Sequence, residues 1–84
     1  MSETNVKELI EGLIQDYTKS IEKGQEHINL LDIENRILSE HAENLNDKKK
    51  AETQEMITFN NHQKELILED MVEKNEKLFV ISGR

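Results

Sequence analysis

Cysteine, proline and tryptophan do not occur in this sequence, and each absence closes off a class of protein. Without cysteine there is no disulfide scaffold, no thiolate metal site and no redox chemistry on sulfur, which is the composition expected of a reducing, cytoplasmic setting. Without proline, and with only three glycines, little in the chain forces a helix to end. Aromatic residues supply 4% of positions and hydrophobic residues 35%, against 35% charged. That is thin for a globular core and ordinary for long amphipathic helices. Alternating runs of strand-forming residues are missing except at the extreme C-terminus, so the expected fold class is all-α. Nowhere do about eighteen apolar residues run together, and MSETNVKEL at the N-terminus has no basic stretch leading into an apolar one; neither a membrane span nor a secretion signal is expected.

A chain of 84 residues makes a single domain, and a compact monomer of that size buries only about 60% of the surface its unfolded chain exposes. Oligomerisation is one way to make up the difference. The formal charge is −7, with four basic and nine acidic groups in residues 1–42 and seven basic and nine acidic groups in residues 43–84. Neither half is basic. Nucleic-acid binding needs clustered Lys and Arg to displace counterions from phosphates, and the only cluster is Lys48-Lys49-Lys50, so no direct nucleic-acid partner is expected.

Asn5 with Glu8 three residues on, just ahead of Leu9 and Ile10, fits a polar cap starting a helix near residue 5. Alternate steps of four and three from Ile10 then pass through Ile14, Tyr17, Ile21, Gly24, Ile28, Leu31, Asn35, Leu38, Ala42 and Leu45 without a slip. This is a coiled-coil seam, with Ile14, Ile21, Ile28, Asn35 and Ala42 at position a, and Ile10, Tyr17, Gly24, Leu31, Leu38 and Leu45 at position d. Gly24 lowers helix propensity by about 1 kcal/mol relative to alanine, yet the frame is in register on both sides of it, which favours a continuous helix over residues 5–45. The segment NDKKKAETQE has Ala51 as its only apolar residue and offers Asn46, Asp47 and Thr53 as helix starters, and the polar turn is expected within 46–55. A second helix over about 54–79 carries Met56, Ile57, Phe59, Leu66, Ile67, Leu68, Met71, Val72 and Leu78, and 80–84 form a short tail.

Leu30, Ile33 and Ile37 make a second apolar stripe on the far side of the first helix. The expected architecture is a helical hairpin in which the second helix covers that stripe and leaves the a/d seam (Ile10, Ile14, Tyr17, Ile21, Ile28, Leu31, Asn35, Leu38 and Leu45) for a second chain. Two hairpins then form a four-helix assembly. Asn35 fits the scheme: an asparagine at one a position among isoleucines lowers stability but, by pairing with its counterpart in a second chain, fixes register in a dimer.

No residues assemble into a catalytic or metal-binding signature. His27, Glu34 and His41 share a column at seven-residue intervals, but seven residues span roughly 10 Å of helix, too far to share an ion. His62 has polar neighbours in FNNHQKEL but no nucleophile, and the serines lie outside glycine-rich elbows. Phosphate and calcium loops are absent, so no cofactor is expected, and the chain reads as a non-enzyme. Met56, Phe59, Met71, Leu78 and Phe79 are the candidates for contact with a partner protein, since Met and Phe adapt to groove surfaces. The expected function is that of an acidic coiled-coil homodimer that binds a larger protein and regulates, inhibits or assembles it, a role suited to a bacterial or phage accessory protein. The alternatives are a scaffold-like oligomer and an acidic decoy of a nucleic-acid enzyme presenting Asp16, Glu22, Glu26 and Asp32.

Overall fold

A computed structural model describes residues 3–83 of the chain. Two helices, α1 (Glu3–Ala42) and α2 (Asp47–Ile81), pack side by side as a hairpin, drawn out to 66 × 19 × 14 Å. Forty residues of α1 at about 1.5 Å each account for nearly all of that length. Gly24 lies within α1 and does not break it. The expected start near Asn5 falls inside the helix, which is already formed at Glu3.

The turn is tighter and earlier than the polar segment suggests, occupying residues 43–46 between the two helices. Asn46 decides this. Its backbone is extended and its side chain accepts a 2.9 Å hydrogen bond from the Lys49 amide, satisfying one of the amide groups that every helix start leaves without an intrahelical partner. Lys48, Lys49, Lys50 and Ala51 therefore belong to α2, since lysine and alanine are good helix formers whatever their polarity. At the other end Val80 and Ile81 are helical, so the tail is shorter than 80–84. Ser82 donates to the Leu78 carbonyl at 2.9 Å and Gly83 turns to a φ of 74°, the left-handed conformation that glycine adopts freely at a helix end.

The α1 seam is occupied by α2. Ile14, Tyr17, Ile21, Gly24, Ile28, Leu31, Asn35, Leu38 and Ala42 are the residues of α1 that lose solvent access, together with Ser20 beside them. On α2 the matching positions are Thr53, Ile57, Asn60, Lys64, Ile67, Met71, Lys74, Leu78 and Ile81, again at alternate steps of four and three. Asn35 meets Asn60, Ser20 meets Lys74, and the Gly24 backbone meets Met71. The helices are thus antiparallel and in constant register. Ile28 and Leu31, 7% and 8% exposed, mark the centre of this narrow core.

This reverses the expected use of the two stripes. The a/d seam is closed within the chain, and Leu30, Ile33 and Ile37, expected beneath α2, face solvent. The physical reason lies in α2, whose seam carries four polar residues, Thr53, Asn60, Lys64 and Lys74, among its nine positions. The Thr53 hydroxyl donates to the Lys49 carbonyl at 2.8 Å. The two lysines lay their stems along the seam and carry their ammonium groups out of it, Lys64 to Asp32 and Lys74 to Asp70 and Ser20. A helix with so polar a stripe fits against a column that contains Asn35 and Gly24 better than against one of pure Leu and Ile.

Candidate functional site

Asn35 has its partner amide within the same chain. Asn60, 6% exposed, donates from Nδ2 to Asn35 Oδ1 at 2.9 Å and to Glu34 Oε1 at 3.0 Å, while Asn35 Nδ2 donates to Asn61 Oδ1 at 3.0 Å. One polar layer of four side chains therefore crosses the hairpin. Such a layer loses its hydrogen bonds if α2 slides by a turn, so it specifies register inside the hairpin by the logic expected between chains.

Around this seam the heptad divides the outer surface into two broad faces. Asp32 and Asn61 flank the seam at the same level on one side. Glu34, Met56, Phe59 and Asn60, with Glu52 and Glu55, line an open groove on the other. Carried along the repeat, the first face presents only polar residues from α1, among them Gln15, Glu22, Gln25, Asn29 and Arg36, with Leu68, Val72 and Phe79 from α2. The second face presents Val6, Leu9, Leu13, Leu30 and Ile37 from α1 and Met56, Phe59, Leu66 and Val80 from α2, all exposed. The hairpin is one-sided: most of its exposed large apolar residues stand on one face. Isolated surface apolar residues need no explanation, whereas nine of these stand on a single face of the hairpin.

The apolar face has two parts. Near the turn, Leu30 and Ile37 on α1 stand level with Leu66 and with Phe59 and Met56 on α2, as the register of Asn35 with Asn60 requires. At the open end α1 outruns α2: Ile81 is as far beyond Met71 as Ile14 is before Gly24, so Val6, Leu9, Ile10 and Leu13 have no residue of α2 opposite them.

The expected partner-contact residues separate into two groups. Met56, Phe59 and Phe79 are exposed, Met56 and Phe59 on the apolar face and Phe79 on the other. Met71 and Leu78 are half-buried in the hairpin seam, with Met71 pressed so closely on Gly24 that a Cβ there would lie 3.0 Å from its Cγ and Sδ; their surface goes to α1. Of the expected dimer seam, Ile10 projects past the end of α2, Leu45 lies in the turn, and Ile14, Tyr17, Ile21, Ile28, Leu31, Asn35 and Leu38 meet α2. Leu66 belongs with the apolar face: the heptad frame of α1, carried on past Leu45, reaches Met56, Phe59 and Leu66 before it meets Asp70 and Glu73, whereas the seam of α2 runs in a different frame. Its signal in the sequence is the seven-residue step from Phe59.

The ionic features are peripheral. Asp32 binds Lys64 rather than Arg36, which lies 3.7 Å from Glu40. Glu73 and Lys77 pair at 3.1 Å, and the hydrogen bond and charge of Glu73 hold the Lys77 ammonium above the usual lysine range. Asp16, Glu22, Glu26 and Asp32 are spread around the outer half of α1 rather than forming one stripe. Among the described residues no three His, Asp or Glu groups gather closely enough to hold a metal ion, and neither helix is long and apolar enough to cross a membrane. Comparison with protein-family models, curated proteins and solved structures finds no match to the chain.

Proposed function

We propose that the chain is a non-catalytic protein–protein interaction module: a small acidic homodimer of helical hairpins that binds a larger protein and regulates, inhibits or assembles it. The observation that supports this reading is the one-sided apolar face of a hairpin whose own core, among the described residues, holds only Ile28 and Leu31 as well-buried hydrophobic residues. Two helices alone cannot enclose apolar side chains on more than one stripe each, and the usual solution is to add helices from another chain. Binding is the mechanism, so specificity resides in shape and in the exposed Met and Phe residues rather than in a reacting group.

Light scattering over a hundredfold concentration range tests the first half of the reading. A mass twice the 9.8 kDa of the chain is expected at the upper concentrations. A mass that stays at one chain throughout contradicts it.

A further inference from the structure

A second copy is the occupant that the apolar face fits, and the surface area of the chain says how much such a copy must cover. A compact protein of 9.8 kDa exposes roughly 5,200 Å². This hairpin exposes 6756 Å², an excess of roughly 1,600 Å², and obligate homodimers bury about 1,000–2,500 Å² from each subunit. The excess is more than half of one 66 × 19 Å face can cover, so a second copy seated on that half removes part of it.

The turn-proximal half of the face is also complementary to itself. Its apolar residues stand level on the two helices, Leu30 beside Leu66 and Ile37 beside Phe59. A two-fold axis lying in the interface and parallel to the hairpin keeps each residue at its own level while exchanging left and right. That operation sets α1 of one copy over α2 of the other, so Leu30 meets the other copy's Leu66 and Ile37 meets its Phe59. The opposite face cannot form such a sandwich, because its α1 half is polar along its length.

Resting on the homodimer reading above, we infer that two hairpins associate through Leu30, Ile37, Met56, Phe59 and Leu66, about a two-fold axis parallel to their length, leaving the α1 seam inside each hairpin. Glu34, Glu52 and Glu55 rim the same groove. Each copy brings the same carboxylates, so association strengthens as salt screens them. A basic partner seated in that groove would show the opposite salt dependence and leave the chain a monomer.

Two phenylalanines supply a matched test, for Phe59 is 62% and Phe79 64% exposed and they lie on opposite faces. In sedimentation equilibrium of the full chain, Phe59→Ser and Leu30→Ser are each expected to raise the dimer dissociation constant by about a hundredfold or more, with Phe79→Ser within about threefold of wild type. Circular dichroism checks that all three keep the hairpin. Because the chain lacks cysteine, mixing Leu30→Cys with Leu66→Cys chains under oxidation gives a mixed disulfide if the axis is as stated. A wild-type dimer that ignores Phe59→Ser, or that loses as much from Phe79→Ser, overturns this surface while leaving the dimer standing. Leu30→Cys homodimers in place of the mixed product overturn the axis. A chain monomeric at every concentration overturns both the surface and the homodimer.

Discussion

Replacing Asn60 with alanine removes the donor at the centre of the polar layer, and its effect can be worked out from the geometry. Asn60 is buried and donates two hydrogen bonds, one to the neutral Asn35 amide at 2.9 Å and one to the Glu34 carboxylate at 3.0 Å. A neutral intramolecular hydrogen bond contributes about 1 kcal/mol net, and one to a charged group somewhat more where water is excluded. Glu34 is exposed and recovers water when its donor is lost, so its share falls near the lower figure. With the small void left in the seam, Asn60→Ala is expected to destabilise the hairpin by about 2–3 kcal/mol. Asn35→Ala, at a half-buried position, is expected to cost about 1–2 kcal/mol. The two residues share one hydrogen bond, so the double variant costs about 1 kcal/mol less than the sum. Asn35→Leu with Asn60→Leu removes both polar partners and fills the seam, and such paired replacements are neutral or stabilising by about 1–2 kcal/mol. Urea unfolding followed by helical circular dichroism, at one fixed protein concentration, measures all four. An Asn60→Ala cost below about 0.5 kcal/mol, or two alanine effects that simply add, would contradict a shared polar layer.

The glycines supply a second contrast. Gly12→Ala meets nothing within 4 Å and should raise stability by about 0.5–1 kcal/mol through helix propensity alone, whereas Gly24→Ile drives its side chain into Met71 and Ile67 and should lower it by about 1–3 kcal/mol, with Met71→Ala restoring part of the loss; thermal melts give both. Asn46→Ala removes the cap of α2 and should cost about 1 kcal/mol, read as a lower midpoint in urea with an unchanged slope. Charge neutralisation at Lys64, Lys64→Met, keeps the stem on the seam and frees Asp32; because the pair is partly exposed the change should stay within about 1 kcal/mol, as chemical denaturation would show.

The first helix was legible because its seam residues are nearly all apolar and their spacing never slips from Ile14 to Leu38. The second was legible as a helix but not in its frame. Thr53, Asn60, Lys64 and Lys74 occupy seam positions, and apolar periodicity is blind to a lysine whose stem is covered and whose charge emerges into water. Phe59 and Leu66, apolar and seven apart, point away from α1 and suggest a different frame. The same blindness explains the exchanged stripes: both faces of α1 are apolar enough to be buried, and only the polar pattern of α2 selects the one that contains Asn35 and Gly24. Of the three residues in the polar segment able to start a helix, Asn46, Asp47 and Thr53, the first is the cap of α2, and polarity alone does not distinguish a loop from the lysine-rich first turns of a helix.

Asn35 and its seam lie inside one chain, and the proposed dimer joins copies through the opposite stripe of α1. Light scattering of wild type and of Asn35→Ile, measured side by side from low to high concentration, tests this arrangement most directly. A dimer is expected in both cases, since the replaced side chain never faces the second copy. A change to trimers, tetramers or a mixture on replacement would place Asn35 between chains, and a monomer in both would leave the apolar face without its proposed occupant.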